Sequence, residues 1–558
     1  MANFVLFTWP FVAIALFGWL GRERGLIWSV VVGYLFLPEA ITHDLPWLPD
    51  YDKLLAISLG VLLGGMLFNW KPSFAVKLVL PPSRDIPGEI AAIWGELLDI
   101  DEVPRDKSFN ELGGSASRMR AAMRRMIDIG VEATVARKIY DGATIGDLAK
   151  VMPLEGPRKL GTPSMTVLSY ILFGALLVSA FMTMLTNGDA LVAQFSVRPA
   201  LGFRDVVSML VQPAIIMIPF LFALAYLRGR SHQMEVLRAI VVMGVLYAFL
   251  AAIETRLSPQ LNIWVYGYFQ HTWLQHVRDG FRPIVFLRHG LWLGFFLLTA
   301  AMAAFALYRH TEGPSRHLYL LAGLWIFAVL TISRNLGALM LALMFVPLVL
   351  FAPRFIQARV TAAVVILFLV YPAVWQSQIL PINPFLEFVA SISEERAQTF
   401  QFRLDNEALI LGRALERPYF GWGGWDRWRV FDELGRDITT ADGIWIINLG
   451  LRGWIGYLCF FGLLTLPLMF LPRSVRRREP SHVIPAMGLI MAANLVYMIP
   501  NSALSPVGWL IAGTVAGFVR WHLVEVSPAE VEEEAPPCRQ SLYTRFAHNH
   551  SRGTAWDA

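Results

Sequence analysis

Arginine residues recur in three polar segments of an otherwise apolar chain. Arg282 and Arg288 precede one apolar run, Arg334 separates two others, and Arg403 and Arg413 lie in a longer charged segment. The guanidinium group is planar, stays charged and donates two parallel hydrogen bonds, a geometry that suits phosphate and diphosphate. Several arginines facing one pocket would bind a diphosphate and stabilise the negative charge that develops on a leaving group.

A carboxylate and three histidines accompany these arginines. Asp442 ends the charged segment, where it could accept a proton from a hydroxyl group. His271, His276 and His289 lack the sequence spacing of a metal site, and we expect them to be interface residues. We therefore expect neither a metal nor another required cofactor.

Structural roles for the same residues stay open. Arg334 could extend to the membrane interface from a helix end, and Asp442 could be an acidic residue stabilised at a helix N-terminus. Gly421, Gly423 and Gly424 fit a turn as well as the rim of a substrate site.

The composition identifies the class of protein. Of 558 residues, 56% are hydrophobic and 16% are charged, and the mean hydropathy is +0.52. Soluble proteins carry about 25% charged residues, so we expect an integral membrane protein. A net charge of +5 in such a chain bears on orientation rather than on nucleic acid, and two cysteines provide no disulfide framework.

Thirteen segments are apolar and long enough to cross a bilayer, which needs about 20 residues. The boundary at 333–335 is the least distinct, because 317–352 is almost continuously apolar. The predicted spans are 3–20, 25–42, 54–70, 164–186, 206–227, 236–253, 290–308, 317–333, 335–352, 360–376, 444–471, 482–500 and 505–522.

Charge orients these spans. Arginine-rich loops follow alternate segments, and the positive-inside rule places them in the cytoplasm. The N-terminus is then outside and the C-terminus inside. The first apolar run has no basic residue before it, so we expect it not to be a cleavable signal peptide.

The chain divides into four regions. Membrane segments at 1–84 precede a mixed-charge cytoplasmic insert at 85–155, and a membrane region at 160–524 contains a large external loop at 377–443. The tail at 525–558 is acidic and proline-containing, so we expect it to be disordered. The predicted fold is all-α, a polytopic membrane bundle with a small cytoplasmic domain.

The insert resembles an acyl or peptidyl carrier domain of four helices. Its loop 106–114 reads D-x-x-F-x-E-L-G-G, and Thr144 is the expected N-cap of a closing helix. The family attaches phosphopantetheine to a serine two residues after the second glycine, where this chain has Ala116 between Ser115 and Ser117. Modification would need a shift of one residue, so we favour a docking or scaffolding module. Its basic second helix could also bind anionic lipid headgroups.

The region 165–520 resembles the O-antigen ligase and polymerase family. The resemblance rests on the Ser333-Arg334 turn, on Arg403 followed by the P-x-x-G-x-G pattern at 418–423, and on Asp442 followed by the glycine-rich run 448–456. Members of this family are metal-independent inverting glycosyltransferases. They act on glycan linked to undecaprenyl diphosphate at the periplasmic face of the bacterial inner membrane.

This resemblance implies roles for the polar residues. Arg282, Arg288, Arg403 and Arg413 would bind the diphosphate or glycan, and Arg334 and Asp442 would be catalytic. The expected partners are the lipid-linked glycan, membrane lipids and other polysaccharide-assembly proteins, with no nucleic acid. Two alternatives remain: a lipid or glycan transporter, which predicts discontinuous helices, and a membrane acyltransferase that uses a loaded carrier domain.

Overall fold

The computed structural model describes most of the chain outside the tail. The described residues are 1–45, 49–68, 86–100, 103–128, 133–151, 163–193, 196–227, 229–277, 280–377, 379, 382–477 and 483–523. The predicted disorder of 525–558 lies outside these residues.

The described residues form helices with a single two-stranded antiparallel sheet, so the all-α prediction is confirmed. A 3-10 turn at Arg137–Asp141 and the strands β1 (Leu191–Ala193) and β2 (Ser196–Arg198) complete the elements. The helices are α1 (Ala2–Leu20), α2 (Arg22–Phe36), α3 (Lys53–Leu67), α4 (Ile86–Leu98), α5 (Ala116–Asp128), α6 (Ala133–Ala136), α7 (Ile145–Val151), α8 (Pro163–Thr186), α9 (Phe203–Tyr226), α10 (Arg230–Leu257), α11 (Leu261–Tyr266), α12 (Leu274–Val277), α13 (Gly290–His310), α14 (Ser315–Ile332), α15 (Leu336–Phe351), α16 (Arg354–Gln376), α17 (Ile382–Ile392), α18 (Glu394–Leu415), α19 (Ile444–Arg477), α20 (Val483–Met498) and α21 (Pro506–Leu523).

Eight of these helices are long and apolar enough to cross a membrane. They are α1, α8, α9, α10, α13, α14, α16 and α19; the apolar helices α3, α15, α20 and α21 are shorter. Each of the thirteen apolar segments predicted from the sequence coincides with a helix, including α2. The chain is therefore compatible with a multi-pass membrane protein.

Helix α13 lies at the centre of the larger unit, which comprises 1–75 and 163–523. It packs against α10, α14, α15 and α20, and nearly all of its side chains are buried. Small residues allow this close approach, because a Cβ added to Gly244 of α10 would lie 2.5 Å from the Cβ of Ala300. The first residue of α13, Gly290, follows His289 directly.

The segment before α13 is fixed by a buried carboxylate. Glu254, at the end of α10, accepts hydrogen bonds from the backbone N–H groups of Ile284 (2.8 Å) and Val285 (2.7 Å). Its other oxygen accepts from Leu261 N–H at 3.0 Å. Buried backbone donors need such partners, and here they hold Val285 at a φ of 55°. The segment that carries Arg282 is thus anchored to a helix.

Helix α19 is interrupted at Gly453, where φ is 63° and ψ is −175°. At the interruption, the backbone of α19 forms hydrogen bonds with the backbone of the large loop. Trp454 N–H donates to Pro418 O at 2.7 Å, and Trp422 N–H donates to Gly450 O at 2.8 Å. Gly421 lies against Gly453, since a Cβ on Gly421 would lie 2.5 Å from the Gly453 nitrogen. The P-x-x-G-x-G pattern at 418–423 and the glycine-rich run at 448–456 therefore meet at one backbone junction.

The smaller unit contains α4 to α7 and has its own core within 76–162. Trp94 and Phe109 pack edge to face at 5.0 Å between ring centres. Gly114 touches the Phe109 ring, which leaves no room for a side chain at this glycine of the loop. Thr144 caps α7 as predicted, because its Oγ1 accepts from Asp147 N–H at 3.1 Å.

Candidate functional site

The polar loops of the larger unit meet at one end of the helix bundle. A Cβ added to Gly443 would lie 2.5 Å from Ile499 O, so the end of the large loop touches the end of α20. Tyr497, two residues before, donates a hydrogen bond to Leu291 O at 2.8 Å and accepts one from Asn335 at 2.9 Å. Segments that are distant in sequence thus converge here.

Arg403 and Asp442 form an ion pair at this end. Arg403 Nε lies 3.4 Å from Asp442 Oδ2, and the two side chains are 33% and 38% exposed. Both groups therefore reach solvent while remaining paired. A partly exposed guanidinium held by one carboxylate can still donate its remaining N–H groups to a bound anion.

Glu407 lies beside this pair and was not predicted from the sequence. Its side chain is buried, and a Cβ on Gly443 would lie 3.0 Å from its Oε1. Burial and, to a smaller extent, the Asp442 carboxylate raise the pKa of Glu407, while the Trp445 side chain and Arg403 oppose the shift, so that the pKa is about 7. Arg403, Glu407 and Asp442 are called the carboxylate cluster below.

A spacing signal for Glu407 was present in the sequence. Residues 403, 407, 410 and 414 recur at helical intervals, and Ile410 and Ala414 are buried in the core. Glu407 therefore shares the inward face of α18 with Arg403. A carboxylate among apolar positions on the face that carries an arginine marks a buried ionisable group.

Arg334 lies in the tight turn between α14 and α15, with a φ of 59°. The turn predicted at 333–335 is present, and Asn335 caps α15 by accepting from Ala338 N–H at 3.2 Å. A Cβ on Gly280 would lie 2.6 Å from an Arg334 guanidinium nitrogen. Arg334 therefore packs against the segment that carries Arg282, rather than lying alone at a helix end.

Arg282 and Arg288 belong to that same segment. The Arg282 side chain packs on Gly290, where an added Cβ would lie 2.8 Å from its Nε. Arg288 is exposed. Arg278 and Asp279, which precede Gly280 in this segment, lie outside the described residues. The positive charges of Arg282 and Arg403 both act on His289, so these two arginines share one environment.

His271, His276 and His289 lie together, although their spacing in the sequence did not predict it. One ring nitrogen from each lies within 4.8 Å of the others. Burial, together with nearby positive charge, lowers the pKa of His276 to about 4 and that of His289 to about 2. These three residues, called the histidine cluster below, carry neutral imidazoles at neutral pH.

Arg413 does not join the carboxylate cluster. Its Nη1 lies 2.5 Å from Glu416 Oε2, and its guanidinium lies 3.4 Å from the centre of the Trp422 ring. It faces a cavity of about 960 Å³ that Arg198, Asp405 and Arg429 also line. Asp405 and Glu407 are two residues apart on α18 and point to different sides, so the cavity and the carboxylate cluster are separate features.

The glycines of the large loop have a structural role. Gly421 and Gly423 have φ values of 70° and 75°, and Gly421 lies in direct contact with the interruption of α19. A Cβ added to Gly424 would meet no atom within 4 Å. The turn interpretation therefore accounts for Gly421 and Gly423.

In the smaller unit, Ser115 and Ser117 are both exposed at the start of α5, and their hydroxyl oxygens are 3.0 Å apart. Ser115 Oγ accepts from Arg118 N–H at 3.4 Å, so Ser115 precedes the helix and Ala116 is its first residue. The position that corresponds to the modified serine of carrier domains has no hydroxyl group. The residues present therefore fit phosphopantetheine poorly.

No protein family, no curated protein and no solved structure matches this chain.

Proposed function

We propose that the chain is a membrane glycosyltransferase that polymerises or ligates glycan linked to undecaprenyl diphosphate. The observation that carries the proposal is the carboxylate cluster, where Arg403 and Asp442 pair at 3.4 Å beside the buried Glu407. Arg282 and Arg334 come from two other loops at the same end of the bundle. Convergence of arginines with a protonatable carboxyl group is what transfer from a diphosphate donor requires.

These residues have different roles in the proposed reaction. Arg282, Arg334 and Arg403 bind the diphosphate and stabilise its charge as it leaves. The acceptor hydroxyl oxygen bonds to the anomeric carbon while the carbon–oxygen bond to diphosphate breaks, and the hydroxyl proton passes to the Glu407 carboxylate. Asp442 keeps Arg403 oriented through their ion pair. No metal is needed in this step.

The proposed setting is the bacterial inner membrane, crossed thirteen times. The carboxylate cluster would face the periplasm, and the smaller unit and the C-terminus would lie in the cytoplasm, as the arginine-rich loops indicate. The smaller unit would be a carrier-like domain that recruits a cytoplasmic partner.

The test is the lipid-linked glycan profile of the native host without this chain. Complementation with wild type should restore the normal profile, whereas Arg334→Ala and Asp442→Asn should not. Arg316→Ala, at an exposed arginine in the first turn of α14, is the matched control. Accumulated single repeats would identify a polymerase and accumulated finished polymers a ligase. An unchanged profile in the deletion strain would overturn the proposal.

A separate prediction concerns the carrier-like domain. The full chain, coexpressed with a phosphopantetheinyl transferase, should gain no phosphopantetheine, because Ala116 offers no hydroxyl. Ala116→Ser should gain it. Mass spectrometry of the peptides around residue 116 measures both. Modified Ser115 or Ser117 in the wild type would contradict the prediction and revive the acyltransferase alternative.

One observation favours the transporter alternative. The interruption of α19 at Gly453 is a discontinuous helix, which transporters use to bind substrates through exposed backbone groups. Here, however, the freed groups of Gly450 and Trp454 bond to the 418–423 backbone. Backbone groups that are already paired are not available to a substrate, so the transferase is favoured.

A further inference from the structure

We propose that His271, His276 and His289 form a binding site for a zinc-type divalent transition metal. The proposal does not depend on the function proposed above, although the charges of Arg282 and Arg403 act on His289. The three residues come from the loop after α11, from α12 and from the N-cap of α13, and one nitrogen from each lies within 4.8 Å of the other two. Small side-chain movements would place all three nitrogens about 2.0–2.1 Å from one zinc ion, which is the usual zinc–nitrogen distance.

The hydrogen bonds of His276 prepare it as a ligand. Its side chain is fully buried. Nδ1 lies 3.1 Å from Thr272 O and donates to that carbonyl, which leaves a lone pair on Nε2. This buried Nε2 has no hydrogen-bond partner among the described residues. A backbone carbonyl that holds the second ring nitrogen is the usual arrangement behind a metal-bound histidine.

His271 contributes a second nitrogen of the same kind. Its Nδ1 is buried and has no hydrogen-bond partner in the described part of the chain. Its ring centre lies 5.2 Å from that of His276 and 4.6 Å from that of His289. Buried polar atoms are rarely left unpaired, and a shared metal ion would satisfy both His271 and His276.

His289 can supply the third nitrogen ligand, but only by losing a hydrogen bond. Its Nδ1 accepts from Leu291 N–H at 3.0 Å, which places its proton on Nε2. Ligation through Nε2 would move that proton to Nδ1, which could then no longer accept the capping hydrogen bond from Leu291 N–H. A metal–nitrogen bond outweighs one capping bond, so we expect His289 to ligate when metal is supplied.

The chemistry of the site limits which metal it takes. Imidazole nitrogens suit zinc, copper, nickel and cobalt, whereas magnesium and calcium prefer oxygen. The nearby positive charges of Arg282 and Arg403 also oppose weakly bound cations. Three histidines leave one position of a tetrahedral metal for water or an anion.

Metal binding by the purified full chain tests this proposal. The protein is purified with a tag that lacks histidine, treated with a chelator and equilibrated with zinc. Elemental analysis should find about one zinc per chain. Cobalt should give the visible absorption of a tetrahedral site. His271→Ala and His289→Ala should each weaken binding by at least about tenfold.

His317→Ala, an exposed histidine elsewhere in the larger unit, is the matched control and should bind like wild type. Elution on size-exclusion chromatography shows that each variant is folded. The proposal is overturned if folded wild type holds no more zinc than folded His271→Ala/His289→Ala. It is equally overturned if His317→Ala loses as much zinc as that double variant.

Discussion

Replacing Glu407 by glutamine should lower glycan transfer by about 100-fold or more while the protein stays folded. Glutamine keeps the shape of the side chain but cannot accept a proton, and a general base contributes roughly 10²–10⁴ in rate. The measurement is turnover of a lipid-linked glycan by purified protein. Glu395→Gln, an exposed residue on the same helix, is the matched control and should retain activity.

The pH dependence of glycan transfer should also identify Glu407 as the general base. The pKa of Glu407 is raised to about 7 from an ordinary 4.5, and only the ionised form is a base. Transfer by the wild type should therefore rise with pH through about 7 and then level off, and the residual activity of Glu407→Gln should lack this rise. Full activity in Glu407→Gln, with none in Asp442→Asn, would assign the base to Asp442 instead.

The contribution of Glu407 to the stability of the folded protein should decrease as the pH rises, whereas the rate of transfer increases. Because the folded state binds the Glu407 proton more tightly than the unfolded state, this group contributes most to stability below pH 4.5. That contribution is lost as the pH rises from 4.5 through 7. At pH 8, Glu407→Gln should be at least as resistant to heating as the wild type, which separates a catalytic defect from misfolding.

Replacing Gly453 by alanine should greatly lower the yield of folded protein. Its φ of 63° and ψ of −175° belong to a region that only glycine adopts readily, at a cost of about 1–3 kcal/mol for other residues. An added Cβ would also collide with the Tyr419 carbonyl carbon and lie 2.5 Å from Phe420 N. Such overpacking costs about 1–3 kcal/mol more. Gly421→Ala should behave in the same way, because it faces the same junction.

The yield of monodisperse protein and its thermal midpoint measure this effect. Gly424→Ala is the matched control in the same loop and should leave both unchanged, since an added Cβ there meets no atom within 4 Å. Normal folding of Gly453→Ala with lost transfer would contradict the structural role. The glycines would then belong to the rim of a substrate site.

Much of the fold could be predicted from local patterns. Each apolar segment coincides with a helix, because burial in a bilayer or a bundle requires long apolar runs. The turn at Arg334 and the cap at Thr144 also followed from short-range chemistry, since polar residues at helix ends satisfy nearby backbone groups. These features depend on residues that are close in sequence.

The sequence by itself determined the class of protein, the positions of its helices and the arginines and Asp442 as polar candidates. Only the tertiary structure decided that Arg403 pairs with Asp442, that Arg413 faces a separate cavity, and that Glu407 lies beside the pair. The histidine cluster is likewise tertiary. The physical reason is that side-chain pairing and burial depend on how distant segments pack, whereas helix formation depends on neighbouring residues.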